Sequence, residues 1–327
     1  VKADKEGNWK TQIMTTNSTE PQTLKLESND SQIALENILF GEVWLCSGQS
    51  NMQQPLSGYN GQPTFNDPLE IANSTNPNLR LFTVERKASK TPIQDVEKYR
   101  GWAKASPENV LEFSAVAYFY GKHLQEILDV PVGMIHTSWG GSTVQAWISE
   151  EKYTTYEELD LDDVDITNRP NHIPTLLFNA MINPLIPYTV KGALWYQGES
   201  NRNEPEKYEV LFPAMVEDWR ARWNIGDFPF YFVQIAPYWY NDMDAYSYPE
   251  NTAFIREAQL KCDDIIPNSG IAITMDIGDD YCIHPPKKEE VAERLLLNAL
   301  QQTYGIPNVD GYSPTYESME IIDGGSS

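Results

Sequence analysis

The chain has 327 residues, 41% of them hydrophobic, which is enough to bury the core of one large domain or two smaller ones. A formal net charge of −23 argues against nucleic acid and anionic membrane surfaces as partners, and no apolar run reaches the roughly 18 residues of a membrane span. Three cysteines, Cys46, Cys262 and Cys282, with no CxxC pair among them, suit neither a disulfide framework nor a structural zinc site.

In chain order, residues 1–40 read as a short β-rich segment. Gly7-Asn-Trp-Lys-Thr-Gln-Ile-Met and Thr23-Leu-Lys-Leu-Glu-Ser alternate like short strands, with Asn, Ser and Thr between them. From 41 to about 305, apolar runs at 43–47, 79–85, 132–137, 192–196, 229–235 and 270–275 alternate with helical patterns. Those patterns lie at 113–128, 204–223, 250–263 and 286–303. In the first, Phe113, Val116, Phe119, Tyr120, His123 and Leu124 recur at helical spacing; the last follows Pro285-Pro286, a suitable helix start. The alternation predicts an α/β fold with a parallel sheet covered by helices. The acidic run Tyr156-Glu-Glu-Leu-Asp-Leu-Asp-Asp-Val-Asp lacks the spacing and glycine of an EF-hand and reads as a solvated surface insertion. Residues 306–327 read as an outgoing linker or the start of a further β-region. Asn17, Asn29 and Asn73 fit the glycosylation pattern, which has meaning only if the source is not bacterial.

The stretch Gly41-Glu-Val-Trp-Leu-Cys-Ser-Gly-Gln-Ser-Asn-Met is the most informative one. A buried strand runs straight into a small polar turn, the place where α/β hydrolases put a nucleophilic serine. A plain loop with Ser or Asn as helix N-cap remains the alternative. A serine nucleophile needs a base and oxyanion donors. Four histidines allow elimination. His123 sits on a helical pattern, and His172 in the polar loop Asn168-Arg-Pro-Asn-His-Ile-Pro. His136 ends a strand and reads equally as a site-lining or a structural residue. His284, in Ile283-His-Pro-Pro after the strand at 270–275, falls on the same sheet edge as Ser50 and is the best base. Ser138-Trp-Gly-Gly-Ser-Thr and Gln197-Gly-Glu-Ser-Asn leave that edge too; the first lets a backbone N–H approach a ligand, and the second offers an oxyanion donor or a loop brace.

Gly-Gln-Ser-Asn-Met, Ile-His-Thr-Ser-Trp-Gly-Gly, Trp-Tyr-Gln-Gly-Glu-Ser-Asn and Asp-Ile-Gly … Ile-His-Pro-Pro-Lys-Lys resemble the sequence blocks of the sialate O-acetylesterase family. That family belongs to the SGNH hydrolases and has relatives among acetylxylan esterases. The resemblance spans about 41–305 and implies a three-layer α/β/α sandwich with attached β-rich regions. It implies Ser50 as nucleophile, His284 as base, and the N–H groups of Ser50 and Gly141 as oxyanion donors. Gln197 would add a side-chain donor, Asn201 competes for that role, and Glu199 would orient the loop. Many relatives carry an Asp two or three residues before the His; here those positions are Cys282 and Tyr281, with Asp280 and Asp279 further back as candidate acids. A Ser–His dyad is the alternative.

The expectation is therefore a carbohydrate O-acetylesterase needing no metal or organic cofactor, with an acetylated sugar as its partner. Acetylated sialic acid and acetylated plant polysaccharide are the competing substrates. Arg202 is a candidate for a sialate carboxylate, and Tyr59, Tyr238, Trp239 and Tyr240 for stacking on sugar rings. A non-catalytic carbohydrate-binding protein is the rival from another class. A lipase or peptidase ranks low because the GxSxG elbow is absent. Relatives of this kind are often exported, and a chain beginning with Val1 is compatible with a periplasmic or extracellular location.

Overall fold

A computed structural model describes residues 1–28, 31–96, 101–240, 251–312, 314, 318–319, 321–322 and 325–326. Asn29 and position 250, the first residue of one helical pattern, lie outside them. A two-stranded antiparallel ribbon, β1 (Gln22–Glu27) and β2 (Gln32–Ile38), precedes the main sheet. The strand expected at 7–14 is absent: that stretch is exposed, with Met14 93% accessible, and it has no strand partner. Alternation alone does not make a strand when neither face is covered.

The main sheet has seven strands in the order β5-β4-β6-β3-β7-β8-β9. These are β3 (Glu42–Gly48), β4 (Asn76–Thr83), β5 (Ala103–Ala105), β6 (Val132–Ser138), β7 (Gly192–Tyr196), β8 (Phe230–Val233) and β9 (Ser269–Ala272). Six run parallel; β5 pairs antiparallel with β4 at one edge, so the sheet is mixed rather than purely parallel. Among the described residues eight α-helices accompany it: α1 (Ser50–Gln53), α2 (Asp67–Asn73), α3 (Pro107–Val110), α4 (Ala115–Leu128), α5 (Glu150–Tyr153), α6 (Pro205–Trp223), α7 (Asn251–Ile265) and α8 (Lys288–Asn298). The four long helices fall where the 3.6-residue periodicity puts them; α8 starts two residues past the second proline and passes into a π-helical turn at Ala299–Thr303.

Strand residues alternate strictly between two cores, which makes the fold a three-layer sandwich. Leu45, Ile135, Trp195, Phe230, Phe232 and Ile271 face a core shared with α6 and α7. Trp44, Cys46, Met134, Leu194, Tyr196 and Tyr231 face the other, shared with α4 and α8. Because both faces are covered, the middles of the central strands are apolar on both sides, the reason they stand out in the sequence as continuous runs.

β3 is the middle strand, and the chain winds outward from it in both directions, first to β4 and β6 and later to β7, β8 and β9. This reversal leaves a crevice at the carboxyl end of β3, where open α/β sheets bind ligands. Among the described residues no helix is long and apolar enough to cross a membrane. The acidic run at 156–165 forms mostly exposed turns.

Candidate active site

The turn at the end of β3 is very tight. Gly48 has φ +140°, and a Cβ there would lie 2.1 Å from the Tyr196 carbonyl oxygen, so only glycine fits. Its absence of a side chain lets Gln49 N–H reach Tyr196 O at 2.9 Å, and α1 begins at once with half-buried Ser50. The Gln49 side chain is buried, and its Oε1 accepts from the N–H groups of Gly198 (3.4 Å) and Ser200 (3.3 Å). The strand-to-turn geometry thus fixes Ser50 and the 197–201 loop together. Gln49, not Ser50, occupies the N-cap position of α1, and its side chain makes no cap hydrogen bond.

His284 reaches the same place from the loop after β9. Its Nδ1 hydrogen-bonds Gln62 Oε1, and its ring meets the Tyr59 ring edge-on at 5.0 Å. Tyr59 in turn donates its hydroxyl to the Ser50 carbonyl (3.1 Å). Since an amide oxygen only accepts, Nδ1 carries the proton and Nε2 the lone pair. Nε2 is buried and has no hydrogen-bond partner among the described residues. Burial, with the nearby Lys288 charge, pulls the imidazole pKa down to about 4.

Neither candidate acid touches the ring. Asp279 Oδ1 accepts from the N–H groups of Tyr281 (2.8 Å) and Cys282 (3.1 Å), closing its own turn. Asp280 contributes its carbonyl to Trp239 N–H. The position expected for a carboxylate is filled by the neutral Gln62, 222 residues away in sequence.

Beneath Ser50 lies a buried polar knot. Asn51 Nδ2 donates to Glu199 Oε1 (2.6 Å) and to the Ile283 carbonyl (3.0 Å), and Asn51 Oδ1 accepts from Lys288 Nζ (2.6 Å). Lys288 is 0% exposed and Glu199 4%. Burial lowers the Lys288 pKa to about 7 against the opposing pull of Glu199, and burial raises that of Glu199. Glu199 therefore braces loops, and its contacts are with Asn51 rather than with the imidazole.

The 138–143 loop supplies the third wall. A Cβ on Gly140 would stand 3.4 Å from Ser50 Cβ, so this loop passes directly over the serine. Gly140 N–H is taken by Gln53 Oε1 (2.7 Å), and the Gly140 carbonyl by Asn171 Nδ2 (3.0 Å). Among the described residues the N–H groups of Ser50 and Gly141 have no acceptor, which leaves them as the available donors. Gln197 and Asn201 are engaged elsewhere. Gln197 Nε2 donates to Ser142 O (3.0 Å) and Asn201 Oδ1 (2.8 Å), which uses both of its protons. Asn201 Nδ2 donates to Gln145 Oε1 (2.9 Å), and both side chains are buried. They brace the glycine loop; Gln197 has no proton left for an oxyanion, whereas Asn201 Nδ2 keeps one beyond its bond to Gln145.

The other candidates separate cleanly. His123 lies on α4 between Glu126 and Glu289. His172 is half-buried in a single 3₁₀ turn beside Asn171. His136 is buried and bonds Ser138 Oγ, with burial lowering its pKa to about 4. It lines a 480 Å³ cleft beside α1, together with Gln53, Tyr59, Arg86, Glu112 and Ser138. Arg86 is exposed and lies 5.8 Å from the Trp139 ring centroid. Arg202 instead lies over Tyr240 (4.9 Å) and donates to the Glu199 carbonyl. Tyr240 is buried, whereas Trp239 is 52% exposed and Tyr238 half-buried.

Sequence reasoning missed Gln62, Asn51, Lys288, Gln53 and Asn171. Lys288 left a signal: with Val291, Ala292, Leu295 and Leu296 it occupies the buried stripe of α8, an apolar pattern opened by a lysine.

The profile of the family described as carbohydrate esterase, sialic acid-specific acetylesterase matches residues 40–285. Sialate O-acetylesterases of Homo sapiens and Pongo abelii are each 33% identical to the chain over 324 residues, 91% of it and 60% of the relative. The chain thus spans about three-fifths of the length of these relatives. The crystal structure of a carbohydrate acetylesterase from Xanthomonas citri superposes with a TM-score of 0.85 at 34% identity, covering 98% of this chain and 69% of that one.

Proposed function

This chain belongs to the sialic acid-specific acetylesterase family of carbohydrate esterases, and from that premise we propose that it hydrolyses O-acetyl esters of sugars through an acetyl-serine on Ser50. The observation that carries the reading is the state of His284. Its Nδ1 is occupied by Gln62, its Nε2 is unpartnered, and its loop is tied by Asn51 to the residue after Ser50.

In this reading Nε2 takes the Ser50 hydroxyl proton as Oγ attacks the acetyl carbonyl. The N–H groups of Ser50 and Gly141 hold the oxyanion, each worth about 10²–10³ in rate. The tetrahedral intermediate collapses, the sugar oxygen leaves and takes the proton from His284, and acetyl remains on Ser50. Water, losing its proton to the same nitrogen, then attacks the acyl carbon; the bond to Ser50 Oγ breaks, the serine takes that proton back from His284, and acetate leaves. A ring with a pKa near 4 stays unprotonated at neutral pH, so the base is ready there, and returning its proton to the departing sugar is easy. Acetate release from acetylated sialosides, acetylated xylan and a chromogenic acetate ester tests the function; no turnover on all three would sink it. The rival non-catalytic reading rests on a missing acid, and Gln62 at Nδ1 weakens that ground.

For the substrate, an acidic sugar such as sialate is favoured by Arg86 in the cleft beside α1 rather than by Arg202. A charged hydrogen bond of this kind contributes about 1.5–3 kcal/mol. Arg86→Ala should raise KM for an acetylated acidic sugar about tenfold or more and change KM for a neutral acetyl ester less than about twofold. Equal changes on both esters would leave acetylated neutral polysaccharide as the better substrate. The same substrate class supports export to the periplasm or medium, which fractionation of the source cells checks.

A further inference from the structure

The buried knot beneath Ser50 contains a lysine for which the proposed mechanism has no use. Lys288 opens α8 four residues after His284, is 0% exposed, and gives its ammonium to Asn51 Oδ1 at 2.6 Å. An isolated buried ammonium is costly, so a lysine kept there calls for a reason.

The reason lies in the direction of the Asn51 amide. Glu199 and the Ile283 carbonyl are acceptors, and the lysine is a donor. Only one of the two amide orientations satisfies all three, with Nδ2 toward Glu199 and Ile283 and Oδ1 toward Lys288. With the amide so fixed, Asn51 grips the backbone directly before His284 while belonging to the residue directly after Ser50. Resting on the Ser50–His284 reading, we propose that Lys288 is a positioning residue that acts through Asn51, holding the base loop in register with the nucleophile helix. A slip of about 1 Å in such a register costs about 10²-fold in rate.

The pH profile carries the second signature. Among the described residues the groups facing His284 are the Tyr59 ring, Gln62, Cys282 and Lys288; the charge that acts on the ring is that of Lys288, and it lowers the ring's pKa. The groups facing Lys288 are Glu199, Cys282, Asn51 and the Tyr196 ring, 5.6 Å away. Without the lysine charge, His284 picks up its proton at higher pH, and the acid limb of kcat/KM moves upward. A lysine with a merely structural role would lower the melting temperature and the yield of folded enzyme and leave kcat per folded molecule in place.

The test compares wild type, Ser50→Ala, Lys288→Met, Glu199→Gln and the double variant K288M/E199Q for kcat, KM and pH profile on one acetyl ester. Lys288→Met alone leaves Glu199 without a countercharge and risks misfolding; the double variant removes both buried charges, a change that is often neutral for stability. The expected result is a tenfold to hundredfold loss of kcat with KM within about twofold in both lysine variants, and an acid limb shifted up. Glu199→Gln keeps an acceptor for Asn51 but leaves the buried Lys288 ammonium without its countercharge, so it serves to separate the Glu199 contribution from that of Lys288 in the double variant. A wild-type kcat and acid limb in K288M/E199Q would overturn the assignment of Lys288. Undiminished turnover in Ser50→Ala would instead overturn the functional reading beneath it.

Discussion

Ser50→Ala is expected to abolish acetate release, with kcat falling by about 10⁶-fold, the loss seen when a serine hydrolase is stripped of its nucleophile. The protein should fold as before. Ser50 is half-buried at the start of a four-residue helix, and the hydrogen bonds it makes among the described residues, from Gln54 N–H and the Tyr59 hydroxyl to its carbonyl, do not involve its side chain. Thermal unfolding of the variant should therefore match wild type, while a mass increment of one acetyl group on rapidly quenched wild type should be missing in the variant. A residual rate within about tenfold of wild type would place the chemistry on another group.

Gln62→Leu is expected to have the next largest effect. In a protease, turning the acid partner of the histidine into an amide costs about 10⁴-fold, because the ring is held in the wrong tautomer. Here the amide already presents its oxygen to Nδ1, so the tautomer is right, and it is the removal of that oxygen that frees the ring to turn over. Gln62→Leu should lower kcat by about 10²–10⁴-fold with little change in KM. Gln62→Glu gives the contrasting result. A carboxylate beside the ring stabilises its protonated form, so the His284 pKa rises from about 4 and the acid limb of kcat/KM moves to higher pH. Equal pH profiles for wild type and Gln62→Glu would show that Gln62 is not the group on Nδ1.

The layers of the fold were legible in the sequence for a physical reason. Strands covered on both faces have to be apolar throughout, so Val43–Cys46, Val132–Ile135 and Gly192–Tyr196 could hardly be read otherwise. The long helices declare themselves by their stripes. What failed was the exposed stretch at 7–14, where alternation had no partner to give it meaning, and β5, three residues long at a sheet edge. In the site, Ser50 and His284 were legible because each follows a strand and falls on one edge. Their supports were not. Gln62 meets His284 across 222 residues, and nothing in the local sequence of either announces the other. Gln197 and Asn201 were assigned by residue type, which shows that an amide can donate and does not show where its protons go; packing against Ser142 and Gln145 decided that. Asp279 and Asp280 were chosen by proximity in sequence to His284, but the Asp279 carboxylate turns back onto the N–H groups of its own turn and the Asp280 carbonyl accepts from Trp239 N–H.

The clamp from Asn51 to the Ile283 carbonyl spans 232 residues. Such a contact exists only after every strand between its ends has taken its place in the sheet. At a synthesis rate of about 5–20 residues per second, Ser50 leaves the ribosome some tens of seconds ahead of His284. Throughout that interval the growing chain carries the proposed nucleophile without its proposed base. Closing that loop is thus also the event that completes the proposed site, and a chain interrupted before residue 284 lacks the proposed base.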